Sequence, residues 1–270
     1  MPEGPECRHL TDILKLSLVG KHLKSIKILS GRYSRHGPPI GFNLITTLLE
    51  KTPIKILEIG VKGKFIYWVL DNNVYMWNTL GMSGQWTTEQ DKHCHVEFSF
   101  IDNDINTFYF RDIRNFGTLR FENHLEKKLK TLGHDILNNS LTNQEIIQLF
   151  RKRNQWCLPK FLMNQGYLSG IGNYLKCEAL YAAKLSPYRL ISSLNDSEII
   201  TLYQEITRIA KESYHSKGAS FLTFRDPDSN KGRYSFNFQV YGKDKIDNYS
   251  IQREKTGDGR STYWVKELQA

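Results

Sequence analysis

No apolar run in the chain approaches the length of a membrane span, and a carboxylate already stands at position 3. Neither a membrane helix nor a secretory signal peptide is expected from such a start. None of the four cysteines, Cys7, Cys94, Cys157 and Cys177, belongs to a CxxC pair. That density excludes a disulfide scaffold and implies free thiols in a reducing compartment. Internal repeats and low-complexity tracts are absent as well. Acidic residues are the minority charge, 28 against 37 Lys and Arg, which leaves a net charge of +9 with the excess leaning to the C-terminal half. A surplus of that sign fits a polyanionic partner, nucleic acid ahead of a membrane surface. With 40% hydrophobic and 12% aromatic residues, the chain is not disordered, and 270 residues suffice for one large or two ordinary domains.

The pattern along the chain changes once. Pro5 suits the first turn of a helix and Glu3 and Glu6 its positive end. Leu10, Ile13, Leu14 and Leu18 continue at helical spacing to Gly20. From Leu23 to about Phe121, short segments such as FIYWVL, VYMW, HVEFSF and TFYFRD alternate with Gly, Asn, Asp and Pro. They predict a β-sandwich or barrel carrying one N-terminal helix. A linker is expected over 125–140. Beyond it, Thr142 and Glu145 have capping-box spacing, Pro159 suits a first turn, Asn173 suits an N-cap, and 195–218 reads as a longer helix ending at Gly218. The tail carries two alternating runs around TGDGR, the pattern of a β-hairpin.

The first residues raise a chemical question. A start methionine followed by proline is normally trimmed, which would leave the secondary amine of Pro2 next to the carboxylate of Glu3. An α-amine of pKa near 8 is roughly one-tenth neutral at pH 7. A neutral secondary amine can attack a sugar C1′ and form an iminium, and a neighbouring carboxylate can move protons on the ring oxygen. From spacing alone, the plainer reading is that the same two residues do no more than begin a helix. Further on, glycines at 170 and 172 allow close backbone approach, and N–H groups at the start of the next helix suit a phosphate.

Five motifs stand in order: PEGPE at 2–6, VKGKF at 61–65, LGMSG at 80–84, DIRNFG at 112–117 and NQGYLSGIGNYLKCEALY at 164–181; FQVYG at 238–242 extends them. With these the chain resembles the Fpg/Nei family of base-excision DNA glycosylases over nearly its whole length, and PEGPE resembles the endonuclease VIII branch more than the formamidopyrimidine branch. The resemblance implies an α+β fold of two domains. These are a catalytic β-sandwich with an N-terminal helix (1–124) and, after the linker, a helix–two-turn–helix domain (141–232) ending in a β-hairpin finger (233–270). It implies that Pro2 is the nucleophile and Glu3 its acid/base, with Glu6 near the lesion. Lys64 matches the family's catalytic, phosphate-contacting lysine, with Lys62 as competitor. Met82, Arg114 and Phe116 match the trio that fills the void left by an extruded nucleotide; extrusion costs a few kcal/mol, and a flexible Met, a wedge-like Phe and a hydrogen-bonding Arg offset it. Asn173 and Lys160 match residues kept beside the DNA, and Arg260 matches the finger-tip arginine. His93 and His95 fall on one strand face by alternation; His93 is expected on DNA phosphate or the strand surface.

Two departures follow. Most members of the family end in a zinc finger, but here no cysteine follows Cys177 and no histidine follows His215. Four Cys/His-type ligands cannot be assembled in the tail, so a zincless finger is expected, packed through Tyr249, Ile251, Tyr263, Trp264 and Val265. Such fingers belong to the animal and viral endonuclease VIII-like branch. Second, the long stretch 217–242 resembles the formamidopyrimidine branch, where a loop covers oxidised guanine. The expected activity is a bifunctional glycosylase and abasic-site lyase with β,δ-elimination, favouring oxidised pyrimidines and hydantoins over 8-oxoguanine. It needs no cofactor or metal. Damaged DNA, duplex and also single-stranded, is the expected partner of a monomer located with the genome, in nucleus, nucleoid or viral replication site. The rival is a non-catalytic binder of damaged or abasic DNA, which would have no need of a free Pro2–Glu3 end.

Overall fold

The structure, a computed structural model, describes residues 1–101, 107–138, 141–219, 227 and 232–270. Helix α1 (Gly4–Leu18) begins with Glu3 as N-cap and Pro5 in its first turn, and buries Leu10, Leu14 and Leu18. Strands β1 (His22–Ile28), β2 (Ile54–Lys62), β3 (Phe65–Leu70), β4 (Val74–Thr79), β5 (Gly84–Thr87), β6 (Cys94–Phe100), β7 (Thr107–Asp112) and β8 (Thr118–Glu122) follow. They run in the order β5-β7-β6-β1-β2-β3-β4-β8, every pair antiparallel. Only His22↔Lys55 and Leu23↔Ile54 join β1 to β2. At that weak seam the sheet folds into two facing layers. The layers meet through Trp68 of β3, whose ring centroid lies 5.1 Å from Trp86 and 5.9 Å from Phe98. Period-two burial along β3 and β4 places this apolar face inward.

Two helices inside this domain depart from the all-strand expectation. They are α2 (Arg32–His36) and α3 (Phe42–Lys51). In α3, Ile45, Leu48 and Leu49 pack on the sandwich core. The spacing is helical, but the β-branched Ile45, Thr46 and Thr47 and the absence of a capping side chain at Gly41 hide it.

The second half builds its own core. Helix α4 (Glu126–Lys130) and strand β9 (His134–Asp135) occupy the stretch read as a linker, and β9 pairs in parallel with β10 (Leu168–Ser169). Helices α5 (Asn143–Arg151), α6 (Leu158–Leu162), α7 (Asn173–Ala182) and α8 (Asp196–His215) surround Phe150, Phe161, Tyr174 and Leu202. Capping boxes start α5 at Thr142 and α8 at Asn195. The N-cap of α7 is Gly172, not Asn173 as the residue type suggested. Two short strands, β11 (Lys245–Ile246) and β12 (Tyr249–Ser250), precede the hairpin of β13 (Gln252–Lys255) and β14 (Ser261–Trp264) around TGDGR. Val265 packs with Cys177 and Val240, joined by Ile246, Ile251, Tyr263 and Leu268. Trp264 instead stacks edge-on against Tyr188, and Tyr249 is 38% exposed and outside the cluster. No helix among the described residues is long and apolar enough to cross a membrane.

Trp86 is fully buried at the meeting of the layers, and its indole N–H donates to Asn78 Oδ1 at 3.1 Å. Trp86→Ala should cost about 3–5 kcal/mol of stability, measured by urea unfolding. An unchanged unfolding midpoint would show that the two layers do not depend on this contact.

Candidate active site

Glu3 serves two helices. Its carbonyl accepts the Cys7 N–H at 3.0 Å at the start of α1, and its own N–H donates to the Glu6 carboxylate at 2.7 Å. The side chain crosses to the second half of the molecule and receives the first N–H groups of α7: Gly172 at 2.8 Å, Tyr174 at 2.9 Å and Leu175 at 3.3 Å. These are donors that a helix cannot satisfy itself, at its positive end. Gly172 is required here, because a Cβ would overlap the Glu3 carboxyl group. The Gly4 N–H adds a bond to Gly170 O at 2.8 Å. Glu3 is 2% exposed. Burial pushes its carboxyl up to about 7, with Lys64 and the N–H groups opposing the shift and Glu6 adding to it.

Glu6 is also buried. It accepts Ala219 N–H at 2.6 Å and Tyr174 O–H at 3.1 Å, and the Tyr174 oxygen in turn meets Ser213 Oγ at 2.9 Å. Burial raises this carboxyl too, against those donors. The turn between β2 and β3 delivers Lys64, whose Nζ donates to Ile171 O at 2.7 Å. Burial draws its ammonium below the usual value, against the nearby Glu3 carboxylate, while Arg260 adds to the lowering. Lys62 points elsewhere, to Leu129 O at 3.0 Å. Of the two lysines of KGK, Lys64 is the one brought to Glu3. A cavity of about 310 Å³ opens here, lined by Met1, Pro2, Cys7, Lys64, Leu80 and Gln165.

The loop after β7 carries Arg114 and Phe116, both exposed, with the guanidinium 5.2 Å above the ring. Buried Asp112 ties the loop down, accepting Gly117 N–H at 2.6 Å, Arg114 N–H at 3.2 Å and the Ser83 hydroxyl. Ser83 neighbours half-buried Met82, and at Gly81 (φ +59°) a Cβ would meet Phe116 backbone at 2.6 Å. The two loops are thus side by side. His93 precedes β6 and is half-buried, and its carbonyl accepts Asp112 N–H at 3.0 Å. His95 does not share its face. An irregularity between Cys94 and Val96 breaks the alternation, and His95 turns inward to Ser30 Oγ and Asp112 O, both at 2.8 Å.

Asn173 donates to Ser261 O of the hairpin at 2.9 Å. Arg260 is exposed at the hairpin tip, and Lys160 on α6 stands 4.7 Å above the Trp156 ring. Of the connection 217–242 expected over the lesion, 220–226 and 228–231 lie outside the described residues. Several positioning residues escaped the sequence reading. Asp135 accepts Gly63 N–H at 2.9 Å, Arg8 at 3.0 Å and Leu137 N–H at 3.0 Å, and so fastens the Lys64 turn to β9. Gln165 braces Ile171 O and Gly170 N–H at 2.9 and 3.0 Å. Glu178 receives the N–H groups of Gln239, Val240 and Tyr241 at 2.8, 3.0 and 2.7 Å. Gln165 and Glu178 lie within quoted motifs, and FQVYG holds the donors of Glu178. That co-occurrence was the available signal.

Comparison with known proteins bears on this geometry. Residues 1–119 match the profile of the formamidopyrimidine-DNA glycosylase N-terminal domain, and 132–225 match that of its H2TH domain. The formamidopyrimidine-DNA glycosylase of Rickettsia canadensis is 30% identical over 280 residues, covering 100% of this chain and 99% of the relative. The chain belongs to the formamidopyrimidine-DNA glycosylase family. Its fold is that of the crystal structure of MutM (Fpg) from Thermus thermophilus, with TM-score 0.85, 24% identity and coverage of 99% and 98%. It is also that of Lactococcus lactis Fpg in complex with abasic-site DNA, with TM-score 0.84, 24% identity and 99% coverage of both chains. As a family member the chain is a DNA-repair enzyme, a DNA glycosylase and abasic-site lyase.

The Glu3 carboxyl holds its proton more tightly folded, at about 7, than at its ordinary 4.5. Between those values the folded chain binds more protons than the unfolded one, so this group's contribution to stability falls as pH rises. The fall is on the order of 3 kcal/mol. Glu3→Gln should flatten the stability–pH curve across that window, read by urea unfolding at successive pH values. An unchanged slope would place the carboxyl at ordinary acidity.

Proposed function

We propose that Pro2 and Glu3 carry the chemistry. After loss of Met1, the Pro2 nitrogen attacks C1′ of an extruded nucleotide. The base leaves with the electron pair of its glycosidic bond and takes up a proton. Glu3 protonates the ring oxygen as the sugar opens to an iminium. Loss of a C2′ proton expels the 3′ phosphate, a second elimination expels the 5′ phosphate, and hydrolysis frees the amine. The observation that carries this reading is Glu3, a buried carboxyl at about 7, beside the N-terminus. It can give and take a proton at neutral pH. The terminal amine in this pocket is drawn below its usual value by burial, against Glu3 and Glu6, and with Lys64 and Arg114 adding to the lowering. Pro2 would inherit those surroundings as a more neutral nucleophile.

Lys64 supports the reaction and contacts phosphate in this reading. Met82, Arg114 and Phe116 occupy the extruded nucleotide's place, and Glu6, His93, Lys160, Asn173 and Arg260 hold the DNA around it. The division into a catalytic domain, a helix–two-turn–helix domain and a finger follows the separate cores. Oxidised pyrimidines and hydantoins are preferred to 8-oxoguanine, supported by PEGPE and by a tail resembling the zincless endonuclease VIII-like branch. Where a metal finger would need Cys/His ligands, the tail offers Ile246, Val265 and Leu268, which pack and cannot coordinate.

Borohydride should trap a covalent enzyme–DNA adduct, and Pro2→Gly or a retained Met1 should lose most of it. Undiminished trapping with the Pro2 nitrogen blocked rules out Pro2 as the nucleophile, whereas no trapping by the unblocked chain would favour the non-catalytic binder. Cleavage of thymine glycol, hydantoin and 8-oxoguanine DNA, in duplex and single strand, tests the lesion order; 8-oxoguanine cut fastest would reverse it. Metal analysis of the pure chain should find no stoichiometric zinc, and one zinc per chain would overturn the zincless finger.

A further inference from the structure

A buried charge pair lies beneath the hairpin tip. Lys176, in the middle of α7, is 0% exposed, and its Nζ donates to Asp258 Oδ2 at 2.7 Å; the Asp258 side chain is 4% exposed. Asp258 sits in the turn two residues before Arg260. Its other oxygen accepts the Thr256 hydroxyl at 2.8 Å and the Arg260 N–H at 3.3 Å. Thr256 Oγ1 reaches Thr262 Oγ1 on the opposite strand at 2.7 Å. One carboxylate therefore gathers both sides of the turn and fastens it to the helix whose first N–H groups hold Glu3. The Arg260 backbone is fixed, while its side chain remains exposed and its charge is felt at Lys64.

A two-stranded hairpin is marginal by itself, yet apolar packing through Val265 and Tyr263 already docks this one. Burying an ion pair adds little stability over apolar residues of similar volume. What it adds is direction, since a hydrogen-bonded pair fixes the height and rotation of the turn and apolar contact does not.

We propose that the buried Lys176–Asp258 pair is the positioning device for Arg260, setting the finger tip over the Pro2–Lys64 pocket so that the guanidinium meets the DNA backbone at the extruded nucleotide. This rests on the lyase reading above and on Arg260 as a DNA contact. The test is single-turnover cleavage and borohydride trapping on abasic-site duplex, with thermal melting of every variant. Asp258→Asn breaks the pair, and Lys176→Met combined with Asp258→Leu replaces it by apolar volume; each is made with and without Arg260→Ala. The apolar pair should keep its melting temperature yet lose roughly 10²-fold in single-turnover rate, the scale of a small misplacement of a positioned group. Arg260→Ala should lose as much, and combining the two should lose no more. A wild-type rate in the apolar pair, or an equal further loss on adding Arg260→Ala, overturns the proposal. Unfolding of both pair variants would also overturn it, by making the pair a structural clamp. Failure of the wild-type chain to trap at all would instead refute the lyase reading.

Discussion

The carboxylate of Glu3 on the N-terminus of α7 is the constraint from which the rest of the site follows. A buried carboxylate is costly unless donors meet it, and a buried helix start is costly unless acceptors meet it. Each cost is answered by the other at three N–H groups. The contact joins the first residues of the sandwich domain to the helical domain. It also holds the carboxyl in a dry environment, where its proton affinity suits neutral pH.

Everything around it extends that junction. Lys64 and Gln165 converge on Ile171 O, just ahead of the helix start. Asp135 secures the Lys64 turn from the other side. Glu6 links the start of α1 to Ala219, where the connection towards the finger begins. Helix α7 then carries the junction onward, since Asn173, Lys176, Cys177 and Glu178 all hold the tail. One ten-residue helix thus fixes Glu3 at its first turn and the hairpin along its length.

The fold class was legible because periodicity is a local property. Leu10, Leu14 and Leu18 announce α1, runs of β-branched and aromatic residues announce β3 and β4, and the Thr142 box announces α5. Where local signals conflicted, the reading failed. Helix α3 was obscured by β-branched residues, and an irregularity in β6 sent His95 inward where strict alternation would have kept it with His93. Asn173 has an N-cap residue type, but a carboxylate from a distant part of the chain had already taken the capping role.

The amino-acid order alone determined that Pro2 and Glu3 adjoin, that the net charge is positive, and that no cysteine follows Cys177 and no histidine follows His215. These are matters of composition and adjacency. Only the tertiary structure raised the Glu3 carboxyl and buried Lys176 against Asp258. Each depends on which groups are desolvated together across more than eighty residues of sequence, and neither spacing nor residue type carries that information.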